Sequence, residues 1–155
     1  MSMKMVELLQ SRGVAIDDII DCVAYLEEGF SGNPLDRKQT EENILEILAK
    51  REVEHAIRTG IALDVMAEKG LFEDKLIEDV IVRDESLYGV DEVLAYGICN
   101  LYGSIALTNF GYVDRVKPGI IGRLNDAKDG ECHTYLDDIV GAITASAASK
   151  SAHNR

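Results

Sequence analysis

Apolar residues recur at three- and four-residue steps along most of this chain, which is the spacing that brings side chains to one face of an α-helix. The first clear run predicts a helix over residues 16–28 that ends at Gly29. It consists of Ile16, Ile19, Ile20, Val23 and Leu26. No pair of segments shows the period-two alternation of half-buried strands. The chain is therefore predicted to be all-α.

The remaining helices follow from the same pattern. A helical hairpin or one long helix is predicted from Glu41 to Gly70, and a short helix over 73–82. The last helix is predicted to begin near Thr134 and to bury the apolar side chains that follow it. Beyond Ala148, polar residues accumulate and we expect the helix to fray.

One segment, about 89–109, is apolar nearly all round and contains the small residues Gly97, Gly103, Ser104 and Ala106. A helix that is hydrophobic on all sides belongs in the interior of a protein. We therefore predict a central helix here, surrounded by the others. At 155 residues the chain is predicted to form one compact domain, 1–155, with the first few residues and about 149–155 frayed.

The formal net charge of −12 argues against nucleic-acid binding, because such sites need concentrated Lys and Arg. Anionic lipid headgroups should also be repelled unless divalent cations neutralise both sides. The three cysteines lack paired spacing, which fits a cytoplasmic protein. No apolar run approaches the ~20 residues that span a bilayer, so a lipid substrate would be met peripherally at the membrane.

Four small acidic groupings stand inside or against apolar sequence. They are Asp84-Glu85, Asp91-Glu92, Asp114 and Asp137-Asp138. Neighbouring side chains on a helix point about 100° apart, so one member of each pair can face the core. Several inward carboxylates raise one another's pKa, and a hard divalent cation such as Mg2+ relieves this. Each grouping alone could also be an acidic helix N-terminus or a solvated face; the four together favour a shared metal site.

These acidic segments resemble the phosphatidylglycerophosphatase A family, and more narrowly its short soluble branch from Gram-positive bacteria. Residues 84–92 place an Asp seven residues before an Asp-Glu pair, as that family does. Residues 110–118, Phe-Gly-Tyr-Val-Asp-Arg-Val-Lys-Pro, resemble its Phe-Arg-x-x-Asp-x-x-Lys-Pro element, with Gly111 in place of the Arg. Residues 136–142 resemble its Asp-Asp-x-x-Ala-Gly element, with the two small residues in the opposite order.

The resemblance implies a Mg2+-dependent phosphatase that converts phosphatidylglycerophosphate to phosphatidylglycerol. It implies metal ligands at Asp84, Asp91, Glu92, Asp114, Asp137 and Asp138, with catalytic roles for Asp91, Glu92, Asp137 and Asp138. Lys117 suits a substrate phosphate oxygen, as do Arg51 and Arg83. The substrate is expected to be a phosphorylated lipid or a small phosphate ester.

His133 lies four residues before Asp137 and is a candidate acid or base, or simply a histidine at the entry to a helix. Two other functions remain open. In one, the protein is a non-catalytic helical oligomer, and its small residues predict homo-oligomer contacts in any case. In the other, it senses a phosphorylated metabolite and retains the metal site without turnover.

Overall fold

Nine helices and no strand make up the part of the chain that the computed structural model describes, residues 2–127 and 130–153. The all-α prediction is confirmed. The helices are α1 Ser2–Ser11, α2 Ile16–Ser31, α3 Arg37–Leu48, α4 Arg51–Glu68, α5 Lys75–Val82, α6 Val90–Cys99, α7 Ser104–Val116, α8 Gly119–Asp126 and α9 Leu136–His153.

Local sequence explains where several of these helices begin. Asp36 caps α3 by accepting the backbone N–H of Gln39, and Asp74 caps α5 by accepting from Leu76 and Ile77. Of the two predicted alternatives, a hairpin or one long helix, the single long helix is excluded, because α3 and α4 are separate helices joined at Ala49 and Lys50.

The centre of the fold is α9, and the prediction of a central helix over about 89–109 is wrong. Every side chain of α9 from Leu136 to Ser149 is buried. The helix packs against α2, α3, α4, α6, α7 and α8. The segment predicted to be central is instead broken between α6 and α7 at Gly103, whose φ is +96°. It lies on the outside, where Val93 is 65% exposed.

Small residues explain why α9 is the buried helix. Its middle consists mostly of Gly, Ala, Ser and Thr, which let the neighbouring helices approach closely without contributing large apolar surface. At Gly141, for example, an added Cβ would lie 3.4 Å from the ring of Phe110 on α7. The helix extends to His153, and α1 begins at Ser2; the predicted fraying of both ends stays a prediction. Residues 154–155 lie outside the described residues.

Gly60 marks the closest approach of α4 to α9. A Cβ at this position would overlap the Cδ1 atom of Ile139 and lie 3.2 Å from Cβ of Tyr135. It would also lie 3.3 Å from Leu94, so α4, α6 and α9 meet here. The glycine is therefore a packing requirement, although it weakens the helix itself.

We expect Gly60→Ala to lower the free energy of unfolding by about 1–3 kcal/mol, because the added methyl group overpacks the α4–α9 contact. Chemical denaturation of both proteins measures this difference. Gly29→Ala is the matched control, since a Cβ there meets no atom within 4 Å. Equal stability of the Gly60→Ala variant and the native protein would contradict the close approach.

Candidate active site

The N-terminus of α9 is anchored by side chains from α4. Asp64 is fully buried and accepts the backbone N–H groups of Tyr135 and Leu136, each at 3.0 Å. One turn later, Glu68 accepts the N–H of Cys132 at 2.7 Å and forms an ion pair with Arg12. These bonds fix the chain immediately before the Asp137-Asp138 pair.

Sequence reasoning did not single out Asp64. Burial raises the pKa of its carboxyl group to about 7, although the two backbone N–H groups and Arg12 oppose the rise. A charged residue between Leu63 and Val65 on an otherwise apolar stretch was the available signal. Its partners are 71 and 72 residues away in sequence, so nothing local indicated the cap.

The carboxyl groups of α6, α7 and α9 meet just above this anchor. Asp138, in the first turn of α9, is 4% exposed, and its carboxyl group lies against those of Asp91 and Asp114, which help to raise its pKa. Lys117 Nζ lies 3.1 Å from Asp114 Oδ1 and 3.5 Å from Asp137 Oδ2. Three helices thus contribute to one acidic cluster around a lysine.

The pKa values in this cluster are displaced by burial and by like charge. Burial, followed by the charge of Asp137, raises the pKa of Asp138. Burial also raises the pKa of Asp137, and Asp84 and Asp114 add to the rise while Lys117 opposes it. Burial works against the charge of Lys117, but the surrounding carboxylates raise its pKa overall. One lysine does not neutralise this many acids, so positive charge is in short supply.

The donor set fits a hard divalent cation. Carboxylate oxygens are the ligands that Mg2+ prefers, and Asp137 Oδ1 is buried without a hydrogen-bond partner. Within residues 2–127 and 130–153, no three His, Cys, Asp or Glu side chains are already arranged as ligands around one point. Here the carboxyl groups of Asp91 and Asp114 both lie against that of Asp138. A bound cation would neutralise the negative charge that these acids bring together.

The geometry can be compared with known proteins. The sequence profile of the family described as Phosphatidylglycerophosphatase A matches residues 39–153, which includes every helix that contributes to the cluster. The chain belongs to the phosphatidylglycerophosphatase A family. The family resemblance of the acidic segments is thereby confirmed.

Several relatives of this phosphatidylglycerophosphatase A family member with 45% identity or more come from Gram-positive bacteria, as predicted. The uncharacterized protein YutG of Bacillus subtilis is 52% identical over 145 residues, covering 94% of this chain and 86% of YutG. The crystal structure of the low temperature requirement C protein of Listeria monocytogenes matches with a TM-score of 0.91 and 51% identity, covering 99% and 95% of the two chains. That of YpjQ from Bacillus subtilis matches with a TM-score of 0.90 and 45% identity, covering 99% and 96%.

Two further acidic residues of the family pattern lie at the edge of the cluster. Asp84 follows α5 with a φ of +50°, and its charge contributes to the raised pKa of Asp137. Burial, then the charges of Asp114 and Asp91, raise the pKa of Glu92. All six predicted metal ligands are therefore in or beside the cluster.

The three basic residues predicted to bind phosphate do not all lie at the candidate site. Lys117 is in the cluster, but Arg51 opens α4, thirteen residues before Asp64, which is roughly 20 Å along the helix axis. Arg51 therefore lies outside the candidate site. Arg83 is exposed and forms ion pairs with Asp79 and Glu85 rather than with the cluster.

His133 lies one turn before Asp137 on the wall of a neighbouring cavity of about 210 Å3. Its Nε2 atom is 3.1 Å from Glu131, and its Nδ1 atom is buried without a hydrogen-bond partner. The cavity also contains Asp84, so the imidazole is close to the edge of the cluster.

Within the described residues, no helix is long and apolar enough to cross a membrane.

The raised pKa values predict how stability depends on pH in this phosphatidylglycerophosphatase A family member. Asp64, Asp137 and Asp138 keep protons in the folded state that the unfolded chain releases near pH 4. Their stabilising contribution is present below that pH and is lost as pH rises through the folded pKa values. We expect the Tm of the Mg2+-free protein to fall between pH 5 and 8, and Mg2+ to restore it at pH 8.

Asp138→Asn separates this effect from general acid sensitivity. At pH 8 without Mg2+, we expect the variant to be more stable than the native protein, by on the order of 1–3 kcal/mol, because Asn is neutral in both states whereas Asp138 must take up a proton on folding. We expect Mg2+ to stabilise it little. Thermal unfolding at pH 5 and pH 8, with and without Mg2+, measures both effects. A variant that is less stable at pH 8 and still responds fully to Mg2+ would contradict the crowding of charge.

Proposed function

We propose that this protein is a Mg2+-dependent phosphatase that hydrolyses the terminal monoester of phosphatidylglycerophosphate to give phosphatidylglycerol. The observation that carries the proposal is the meeting of Asp91, Asp114 and Asp138 from three helices beside Lys117. An acidic cluster at the start of a buried helix lowers the stability of the fold. This loss is understandable if the cluster binds a cation and a substrate. Membership of the family supports the same reaction.

Each group has a distinct part to play in this proposal. Asp91, Asp114 and Asp138 would hold the cation, with Glu92, Asp84 and Asp137 at its edge. When bound, Mg2+ supplies charge neutralisation for the phosphate and lowers the pKa of a nearby water. Lys117 is 29% exposed and can turn its ammonium group to a phosphate oxygen as a point charge.

A proton must leave the attacking water, and another must reach the departing alcohol. Asp137 suits the first step, because its carboxyl group lies beside Lys117 at the edge of the proposed cation site, next to the ligand Asp138. Asp137 Oδ1 has no partner that would compete for the proton. His133, with an unpaired Nδ1 on the adjoining cavity wall, is a candidate for the second step.

We expect the purified protein with Mg2+ to release phosphate from a short-chain phosphatidylglycerophosphate, and Asp138→Asn to lower kcat by at least ~100-fold. Phosphate release without added divalent cation should be negligible. Asp17→Asn is the matched control, since the side chain of Asp17 is 86% exposed on α2. Binding of Mg2+ and substrate without turnover would instead favour a sensor, and the absence of both would favour a non-catalytic oligomer.

Gly111 offers a gain-of-function experiment. It lies one turn before Asp114 on α7, where the family pattern has Arg, and a Cβ added there meets no atom within 4 Å. We expect Gly111→Arg to lower KM for the phosphate monoester by roughly tenfold, because a guanidinium can bind two phosphate oxygens at once. The helix should also gain about 0.5–1 kcal/mol through loss of the glycine.

Gly111→Met is the control, because it supplies the same helical benefit without the charge. Steady-state kinetics of the two variants separate substrate binding from stability. If Arg and Met change KM equally, the phosphate does not lie beside Asp114.

A further inference from the structure

A long apolar groove runs between α4 and α6, on the flank of α6 that faces away from α7. Its volume is about 480 Å3. Ala56 and Thr59 of α4 and Gly97 of α6 are small residues in its walls, and the buried Tyr135 also lines it. The groove exists because these residues leave the two helices unfilled between them.

Gly97 shows that packing within this chain does not account for the open space. It lies in the interior of α6, where glycine costs about 0.5–1 kcal/mol relative to alanine. A Cβ at Gly97 would meet no atom within 4 Å, whereas one at Gly60 would overlap Ile139. Gly60 is thus needed for helix packing and Gly97 is not. The space beside Gly97 therefore suits a ligand better than a side chain of this protein.

The groove begins beside the acidic cluster. Val90, the first residue of α6, lines the groove, and the next residue, Asp91, belongs to the cluster. From Val90 to Gly97 the groove extends about 10 Å along the helix. The phosphate site and the groove are therefore separated only by the N-terminal turn of α6, whose diameter is roughly 10–12 Å.

The chemistry of the groove changes along its length. Near the cluster it is apolar, and Val90 and Val93 on its rim are 50% and 65% exposed. Charge enters at the far end, with Glu52 and His55. Lys50 lies over the ring of Tyr102, and Gly60 approaches Leu94, so α4 runs antiparallel to α6. Glu52 and His55, near the start of α4, therefore lie far from the cluster. An uncharged, flexible, narrow ligand fits such a groove better than a polar one.

We propose that this groove holds an acyl chain of the lipid whose phosphate monoester binds at the acidic cluster. The inference rests on the proposed function and adds to it where the hydrophobic part of the substrate lies. The polar part of the lipid, two glycerol units joined by a phosphodiester, spans the N-terminal turn of α6 at Gly89 and Val90. The protein thus recognises its substrate by chain as well as by phosphate, and draws one acyl chain out of the bilayer.

Gly97→Leu tests the groove directly, because the Cβ of the added side chain meets no atom within 4 Å and the rest of the side chain extends into the groove. The substrates are glycerophosphoglycerophosphate, which has both glycerol units but no acyl chain, and lysophosphatidylglycerophosphates of increasing chain length below their micellar concentrations. In the native protein we expect kcat/KM to rise with chain length, by up to about fourfold per buried methylene. In Gly97→Leu we expect the longest chain to lose at least ~tenfold, with the acyl-free substrate unchanged.

Gly29→Leu is the matched control, since it adds the same side chain to an equally open position on α2. Retention of the full chain-length dependence in Gly97→Leu would overturn the proposal. So would a change of oligomeric state in Gly97→Leu, measured by light scattering, because the groove would then belong to a second copy of the chain.

Different experimental outcomes would contradict the groove proposal and the proposed function. If the native protein hydrolyses glycerophosphoglycerophosphate but shows no chain-length dependence, the groove proposal fails and the phosphatase remains. If no monoester is hydrolysed, the proposed function fails. The same lysophosphatidylglycerophosphates are then titrated calorimetrically into the native protein and Gly97→Leu, and equal Kd values for all chain lengths overturn the groove as well.

Discussion

The structure depends on the bonds between Asp64 and the start of α9. A helix that is buried on all sides cannot satisfy its first N–H groups with water, so the chain must supply acceptors. Asp64 supplies two oxygens for Tyr135 and Leu136 from inside the core. Because these bonds fix the N-terminus of α9, they also fix where the next two residues, Asp137 and Asp138, point. The acidic cluster is built on this cap.

That location concentrates negative charge where a helix best tolerates it. The first turn of a helix carries a partial positive charge, which favours carboxylates there. The effect is too small to offset the burial of Asp137 and Asp138 beside Asp91 and Asp114, and the raised pKa values express the remaining cost. A fold selected only for stability would have fewer acids at this point. This loss of stability is understandable if the cluster binds a cation.

Much of this was accessible from the sequence, for physical reasons that differ between elements. Helical periodicity is a local property, so the all-α class could be predicted. The convergence of Asp91, Asp114 and Asp138 was suggested by their odd position in apolar sequence and by the family pattern. The central helix was misassigned because α9 is buried through small side chains, and hydrophobicity reports large ones. Asp64 was missed because its partners are backbone groups more than seventy residues away.

α6 lies at the surface, although its apolar composition predicted a central position. At the surface its two flanks can lie in different environments. Its inner face, which carries Asp91, Ala95 and Ile98, is buried along the length of the helix and packs on α9. Its opposite flank leaves Val93 exposed and Gly97 beside open space. A central helix would have both flanks covered and could not separate a charged site from an apolar groove. An amphiphilic substrate needs those two environments within one molecular length, and the first turn of α6 separates them by about the width of one helix.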